Sequence, residues 1–238
     1  MILKKKFNLG NIHQLIEKHP YCSILVILLL ALFQVIFFTK ALKFDNASQV
    51  FIFSNYISQC IQNDIFPYWN PYIHLGSPFY GDLVSRYHYP PIWLFSYTTG
   101  YSFFSLHIEF FLVYLATAIG AYKFFSLFHN DILLNITFSI VLGLSGFMLG
   151  HAQHLWIITS FCFFIWNLFF IYKVIIYNEF RFAIPLGISL AFSLLGVYSP
   201  MCFIQLYLYL GLGFYLLFKT KNYKSIVYLL GSGVIFAI

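Results

Sequence analysis

Asp45 is the residue whose type and position best suit acid–base chemistry. It follows closely on an apolar run that ends near residue 39, at the predicted outer edge of a membrane span. A carboxylate at the water-filled mouth of a helix bundle can stay ionised and accept a proton from a hydroxyl group. Lys43 suits two roles equally, stabilising that carboxylate or binding a phosphate. A merely solvated Asp45 is the alternative interpretation.

Further polar side chains are predicted on the same side of the membrane: Asp82, Arg86, His88, Glu109, His151 and His154. Glu109 falls in the first turn of the span predicted from residue 106. We expect one outward-facing cavity, lined by Asp45, Asp82, Arg86 and the 151–154 turn. Arg86 suits bidentate phosphate binding, with an ordinary loop cation as the alternative. Two histidines are too few for a metal site, so none is assigned, and a role for a divalent metal stays open.

The elements that must position these residues are membrane helices. The 238 residues are 61% hydrophobic and only 8% charged, with a mean hydropathy of +0.82. Soluble domains carry about 25% charged residues, so a soluble fold is excluded. Apolar stretches of about 20 residues predict an all-α fold, a polytopic bundle of transmembrane helices. The basic residues behind the net charge of +6 lie in loops, as membrane topology requires, and therefore predict no nucleic-acid partner.

About seven spans are predicted, the last one incomplete: residues 22–39, 106–127, 132–150, 155–177, 182–199, 202–218 and 225–238. Residues 225–238 are too few to cross a hydrocarbon core of about 30 Å at about 1.5 Å per residue. We therefore expect a single transmembrane domain over residues 1–238, which forms the amino-terminal portion of a longer protein.

The basic residues orient the chain. If segment 90–105 does not cross, ten of the 13 Lys and Arg residues lie inside and three lie outside: Lys40, Lys43 and Arg86. The positive-inside rule then predicts a re-entrant or interfacial segment at 90–105 and a cytoplasmic amino terminus. It predicts a multi-pass protein of the cytoplasmic membrane, with an extracytoplasmic loop over residues 42–105 and the remaining spans over 106–238.

The predicted loop has a helix of its own. Apolar residues recur at helical spacing between Ser48 and Asp64, which predicts a juxtamembrane amphipathic helix with Asn46 or Ser48 as its N-cap. The helix either frames a cavity beside Asp45 or simply closes the bundle. The prolines and glycines that follow predict a rigid, turned segment.

The spaced turn residues of this chain resemble those of the YfhO-type bacterial membrane proteins, which belong with the GT-C glycosyltransferases. The resemblance covers about residues 20–178. It is carried by Asp45 with Gln49, Pro67-Tyr68-Trp69-Asn70-Pro71, Gly76-Ser77-Pro78, Tyr89-Pro90-Pro91, Leu144-Ser145-Gly146-Phe147, and His151 or His154 ahead of Trp156 and Trp166.

The resemblance implies sugar transfer on the extracytoplasmic face, from a polyprenyl-phosphate donor to a glycan, lipid or protein acceptor of the cell envelope. It makes Asp45 the base for the acceptor hydroxyl and Asp82 a second acidic residue. Arg86 and Lys43 are the cations available for the phosphate leaving group. The candidate substrate-binding residues are Lys43, Arg86, His88, Glu109, His151 and His154. Two features depart from the family pattern: Asp45 lacks the acidic neighbour that many members of the wider class carry, and the family's later helices and carboxy-terminal extracytoplasmic domain are missing.

Two other functions stay open at this stage. One is a permease or lipid exporter, although the polar residues gather at one face rather than at the bilayer midplane. The other is a non-catalytic accessory membrane protein of the cell envelope.

Overall fold

The computed structural model describes residues 9–33, 35, 42, 44–73, 75–82, 85–195 and 198–237. It is 75% helical. Its helices are α1 (Leu9–Lys18), α2 (Pro20–Ala31), α3 (Phe51–Gln62), α4 (Pro90–Thr98), α5 (Phe103–Phe125), α6 (Ile132–Gly143), α7 (Gly146–Gly150), α8 (Leu155–Ile175), α9 (Ala183–Leu195), α10 (Ser199–Thr220) and α11 (Lys224–Ala237). A π-helical turn, Asn46–Val50, leads into α3, and a 3₁₀ turn, Phe180–Phe182, leads into α9. Two short antiparallel strands, β1 (Trp69–Asn70) and β2 (Ser77–Pro78), form a hairpin between α3 and α4.

Four stretches of the described chain are long and apolar enough to cross a membrane: Phe103–Phe125, Ile132–Gly150, Leu155–Ile175 and Pro200–Thr220. In the hydrocarbon core the backbone must satisfy its own hydrogen bonds, which a continuous helix does. By helix length and composition the chain is therefore an all-α membrane protein. The four stretches match the spans predicted at 106–127, 132–150, 155–177 and 202–218.

The three other predicted spans fall on shorter helices. In the described residues α2, α9 and α11 have 12, 13 and 14 residues. A 12-residue helix rises about 18 Å, short of a hydrocarbon core of about 30 Å. Residues 34 and 36–39 of the predicted first span lie outside the described residues.

Local sequence explains where several helices begin. The Ser102 side chain caps α5 by accepting from the Ser105 N–H, and Asp131 caps α6 by accepting from the Leu134 N–H at 3.0 Å. The span at 132–150 is present, and it is built from two consecutive helices, α6 and α7. Ser145 accepts from the Met148 N–H and begins a new short helix, α7.

The apolar segment 90–105 contains α4, whose nine residues rise about 14 Å. This helix is less than half the thickness of a hydrocarbon core. Pro90 occupies its first turn, where proline is tolerated because the first N–H has no intrahelical partner. Gly100 then has a φ of +77°, a left-handed conformation that favours glycine, and separates α4 from α5.

The packing of α5 against α8 depends on a small residue. A Cβ atom added at Gly120 on α5 would lie 2.9 Å from Nε1 of Trp166 on α8. The same Nε1 donates a hydrogen bond to the Ala116 carbonyl at 3.0 Å. Gly120 therefore lets the indole lie against the α5 backbone, as small residues do between membrane helices.

Polar side chains link α8 to α10 within the bundle. Gln205 donates to the Ser160 carbonyl at 3.1 Å, and the Tyr209 hydroxyl donates to Oε1 of Gln205 at 3.3 Å. Asn167 donates to the same hydroxyl at 3.3 Å. Hydrogen bonds between membrane helices satisfy polar groups that lipid cannot satisfy.

The helix predicted between Ser48 and Asp64 is present, but its N-cap differs from the prediction. Asp45 is the residue that precedes the π-helical turn, and no side chain caps it. Ser48 instead donates from its Oγ to the Phe44 carbonyl at 3.0 Å. The Asn46 side chain binds a different helix, as described below.

Candidate functional site

The side chains of Asp45 and His154 are in contact at the junction between the segment before α3 and the start of α8. Oδ2 of Asp45 lies 3.2 Å from Nε2 of His154, and the two side chains are 35% and 25% exposed. His154 is the residue immediately before α8, so its side chain projects at the helix end. The pair combines a partly solvated carboxylate with an imidazole that can orient it.

Asn46 fixes the backbone on both sides of His154. Its Oδ1 accepts from the Leu155 N–H at 2.8 Å, and its Nδ2 donates to the Ala152 carbonyl at 2.7 Å. Leu155 is the first residue of α8, whose first N–H groups have no intrahelical partners. The fully buried Asn46 side chain therefore caps α8 from another part of the chain and holds Asp45 beside His154.

An open cavity of about 360 Å³ adjoins this junction. It is lined by Val35, Leu42, Phe44, Asn46, Phe110, Leu149, Gly150, Ala152 and Gln153. The neighbours of Asp45 in sequence, Phe44 and Asn46, belong to this lining, as does Gln153 beside His154. Most of its described lining is apolar, and Asn46 and Gln153 contribute polar side chains.

His151 lies next to His154, with 5.7 Å between the ring centroids. In the described residues Nδ1 of each histidine is buried without a hydrogen-bond partner. The described part of the chain contains no group of three or more His, Cys, Asp or Glu residues arranged to hold a metal ion.

Arg86 and Glu109 form a buried ion pair. The Arg86 guanidinium donates to Oε1 of Glu109, and the two residues are 1% and 2% exposed. The Tyr101 hydroxyl donates to Oε2 of Glu109 at 2.5 Å, and the guanidinium lies 4.5 Å from the centroid of the Tyr89 ring. Four groups from the loop and α5 thus satisfy one another away from water.

The electrostatics of this cluster keep Arg86 charged. Burial acts to lower the pKa of Arg86, but the Glu109 carboxylate opposes burial and the net pKa lies above its ordinary value. The pKa of Tyr101 is raised well above its usual range, first by burial and then by the same carboxylate. Tyr101 therefore remains a neutral hydrogen-bond donor to Glu109.

The structure places Arg86 and Glu109 differently from the expected arrangement in two respects. Arg86 and Glu109 were expected to bind substrate, yet they bind each other and have almost no exposed surface. Glu109 also lies in the second turn of its helix, because α5 begins at Phe103 rather than at residue 106. Of the residues expected to line one cavity, only the 151–154 turn contributes to the cavity beside Asn46, and Asp45, Asp82 and Arg86 are not among its lining residues.

The remaining predicted site residues are Asp82 and His88, which follow β2, and Lys43. The Asp82 carbonyl accepts from the Ser85 Oγ at 2.6 Å, so Asp82 shapes the turn through its backbone. Nε2 of His88 lies 3.2 Å from the Tyr80 carbonyl, and its ring is 4.9 Å from those of Tyr80 and Tyr87. Lys43 lies outside the described residues.

Sequence reasoning missed the roles of Tyr101 and Asn46. Tyr101 follows Gly100 in an aromatic-rich segment, where nothing distinguishes one tyrosine from another. Asn46 carried a usable signal, since its residue type suits capping, but the capped helix is α8 rather than α3. No protein-family model, curated protein or solved structure matches this chain.

Proposed function

We propose that this chain belongs to a membrane glycosyltransferase of the GT-C type, similar to the YfhO-type proteins, and transfers a sugar from a polyprenyl-phosphate donor to a cell-envelope acceptor. The observation that carries the proposal is the Asp45–His154 pair beside an open cavity. Support also comes from the spaced turn residues and from the membrane helices.

In the proposed reaction Asp45 accepts the proton of the acceptor hydroxyl. The acceptor oxygen bonds to the anomeric carbon, the bond from that carbon to the phosphate oxygen breaks, and the polyprenyl phosphate leaves with the electron pair. His154, whose Nε2 lies 3.2 Å from Oδ2 of Asp45, orients this carboxylate so that its other oxygen faces the hydroxyl. Lys43 is the remaining candidate cation for the phosphate, because Glu109 already neutralises Arg86.

The proposed topology has about seven spans, the last incomplete, with a cytoplasmic amino terminus and an extracytoplasmic loop over residues 42–105. It can be tested by cysteine labelling after the four native cysteines are replaced. Leu75, at the hairpin tip, and Tyr223, before α11, are both well exposed. We expect a membrane-impermeant maleimide to label Leu75→Cys in intact cells and Tyr223→Cys only after permeabilisation. The reverse pattern would invert the proposed orientation.

The reaction is tested with Asp45→Asn in membranes that contain the whole protein. Polyprenyl phosphates that carry labelled glucose, mannose or N-acetylglucosamine serve as donors, and label in the cell-surface glycan is counted. Loss of a general base should lower transfer by about 10²–10⁴-fold. Asp131→Asn is the matched control, since asparagine can still cap α6. Transfer by Asp45→Asn at the wild-type rate would exclude Asp45 as the base.

His154 is tested separately, because its proposed role is to position Asp45. His154→Ala should lower transfer, and His154→Gln should restore part of it, because the glutamine amide can donate to Asp45. Equal loss in both variants, with unchanged folding, would contradict the positioning role.

A further inference from the structure

An open pocket of about 220 Å³ lies between the carboxy-terminal end of α3 and helix α4, apart from the Asp45–His154 pair. It is lined by Ile61, Asp64, Ile65, Phe66, Pro67, Trp93 and Tyr97. Among the described residues of this lining, Asp64 is the only one with a charged side chain, and the other polar side-chain atoms are the indole N–H of Trp93 and the phenol hydroxyl of Tyr97. The pocket therefore combines one carboxylate with three aromatic rings.

The Asp64 carboxylate is exposed and available to a ligand. Asp64 follows the end of α3 in a left-handed backbone conformation with a φ of +56°, and its N–H donates to the Ile61 carbonyl at 3.1 Å. In the described part of the chain its side chain has no hydrogen bond or ion pair. A left-handed conformation is uncommon for a residue other than glycine, and the local turn holds the carboxylate at the pocket rim.

Tyr87 packs against two of the aromatic rings that line the pocket, those of Trp93 and Phe66. Trp93 donates from Nε1 to the Tyr87 carbonyl at 2.6 Å. The Tyr87 ring lies 5.2 Å from that of Trp93 and 5.3 Å from that of Phe66, both in edge-to-face contact. The centroid of the Tyr97 ring lies 6.0 Å from that of the Trp93 ring. Tyr97 is 72% exposed. The rings are thus supported on one side and open to a ligand on the other.

The chemistry of this lining selects for an organic cation. The faces of aromatic rings and a free carboxylate both attract positive charge, and both repel an anion. A sugar needs several directed hydrogen bonds, whereas this pocket offers one carboxylate among mainly apolar groups. A substituted ammonium group carries its charge on an apolar shell that matches such a surface.

We propose that this pocket binds an organic ammonium group, supplied either by a lipid headgroup or by a soluble amine. The inference is independent of the proposed glycosyl transfer. Asp64 neutralises the charge, while Trp93, Tyr97 and Phe66 surround the substituents on nitrogen.

The test uses the whole protein in a maltoside detergent, which carries no ammonium group. Binding of choline is measured by ligand-observed NMR and compared with 3,3-dimethyl-1-butanol, the neutral isostere of choline. Choline should bind about tenfold more tightly than the isostere, since cation–π attraction and one ion pair together contribute about 1.4 kcal/mol or more. Equal binding of the two compounds, or no binding of either, would overturn the proposal.

Variants locate the site. Asp64→Asn and Tyr97→Leu change exposed side chains, so both should fold, and each should weaken choline binding by about fivefold or more. Tyr72→Leu, at a residue that is 84% exposed in the hairpin, and Asp131→Asn are the matched controls and should bind like the wild type. Unchanged binding in both pocket variants would overturn the assignment.

A second arm identifies the source of the ammonium group. The protein is placed in nanodiscs of phosphatidylcholine or of phosphatidylglycerol, and the choline titration is repeated. Weaker apparent binding in phosphatidylcholine alone supports a lipid headgroup as the occupant, because the lipid competes. Equal binding in the two lipids supports a soluble amine.

Discussion

Oδ1 of Asn46 accepts a hydrogen bond from the backbone N–H of Leu155, 109 positions further along the chain, at 2.8 Å. The amide end of the same side chain donates to the Ala152 carbonyl. One buried residue thus caps the first turn of a membrane helix and places Asp45 beside His154.

Asn46→Ala should destabilise the protein by about 1–2 kcal/mol, because it leaves the Leu155 N–H and the Ala152 carbonyl without partners. Asn46→Asp keeps an acceptor for the Leu155 N–H but places a carboxylate oxygen against the Ala152 carbonyl in a buried site, so it should lose at least as much. The free energy of unfolding is measured by circular dichroism during titration with a denaturing detergent. Asn63→Ala, which removes an exposed hydrogen bond to the Gln59 carbonyl, is the control. A similar loss in the two alanine variants would argue against the special role of Asn46.

Arg86→Met and Glu109→Leu should each cost about 3–5 kcal/mol, because either change leaves a buried charge without its partner. The double variant should cost much less than the sum of the two. A double-mutant cycle on the free energy of unfolding measures this difference. Arg181→Gln, whose side chain is 74% exposed in its ion pair with Glu179, should leave stability almost unchanged. Additive losses in the cycle would show that the two side chains do not interact.

Gly120→Ala should destabilise the contact between α5 and α8 by about 1–3 kcal/mol, since the new methyl group overlaps the Trp166 indole. Trp166→Phe in the same chain should recover part of the loss, because the smaller ring leaves room. Gly143→Ala is the control, as its Cβ would meet the Ala118 Cβ at an acceptable 3.4 Å. Thermal unfolding can be followed with a thiol-reactive dye, which reports exposure of the buried Cys60, Cys162 and Cys202. A Gly120→Ala variant as stable as Gly143→Ala would contradict the close packing.

Gly100→Ala should lower stability by about 1 kcal/mol or more, because a φ of +77° strains any residue with a Cβ atom. The new Cβ also meets Nε2 of Gln62 at 2.9 Å, but that amide is at the end of a flexible side chain. Adding Gln62→Ala should therefore rescue little. Gly211→Ala lies within α10 with no neighbouring atom within 4 Å and should be neutral or stabilising. Full rescue by Gln62→Ala would identify the side-chain clash, rather than the backbone, as the cause.

The predictable residues of the site are those whose positions depend only on nearby residues in the sequence. Asp45 at a helix boundary and His154 before an apolar run could both be identified, because each depends on where a neighbouring helix begins. The partner of Asp45 could not be identified, since His88, His151 and His154 are equivalent in type. The pairing of Arg86 with Glu109 could not be predicted for the same reason. The sequence near a membrane boundary does not distinguish a charged residue that faces water from one that pairs with an opposite charge.

The sequence by itself determined the class of protein and the four long apolar stretches, because an apolar run in lipid has to satisfy its backbone hydrogen bonds locally, in helices. The caps at Ser102 and Asp131 are also local contacts, three residues from the N–H that each binds, although the first of these two helices was predicted to begin at residue 106. Only the tertiary structure decided that Asn46 caps α8 and that Arg86 is neutralised by Glu109. Those contacts join residues 109 and 23 positions apart. They depend on how the loop folds over the helices, and no local pattern of residue types encodes that arrangement.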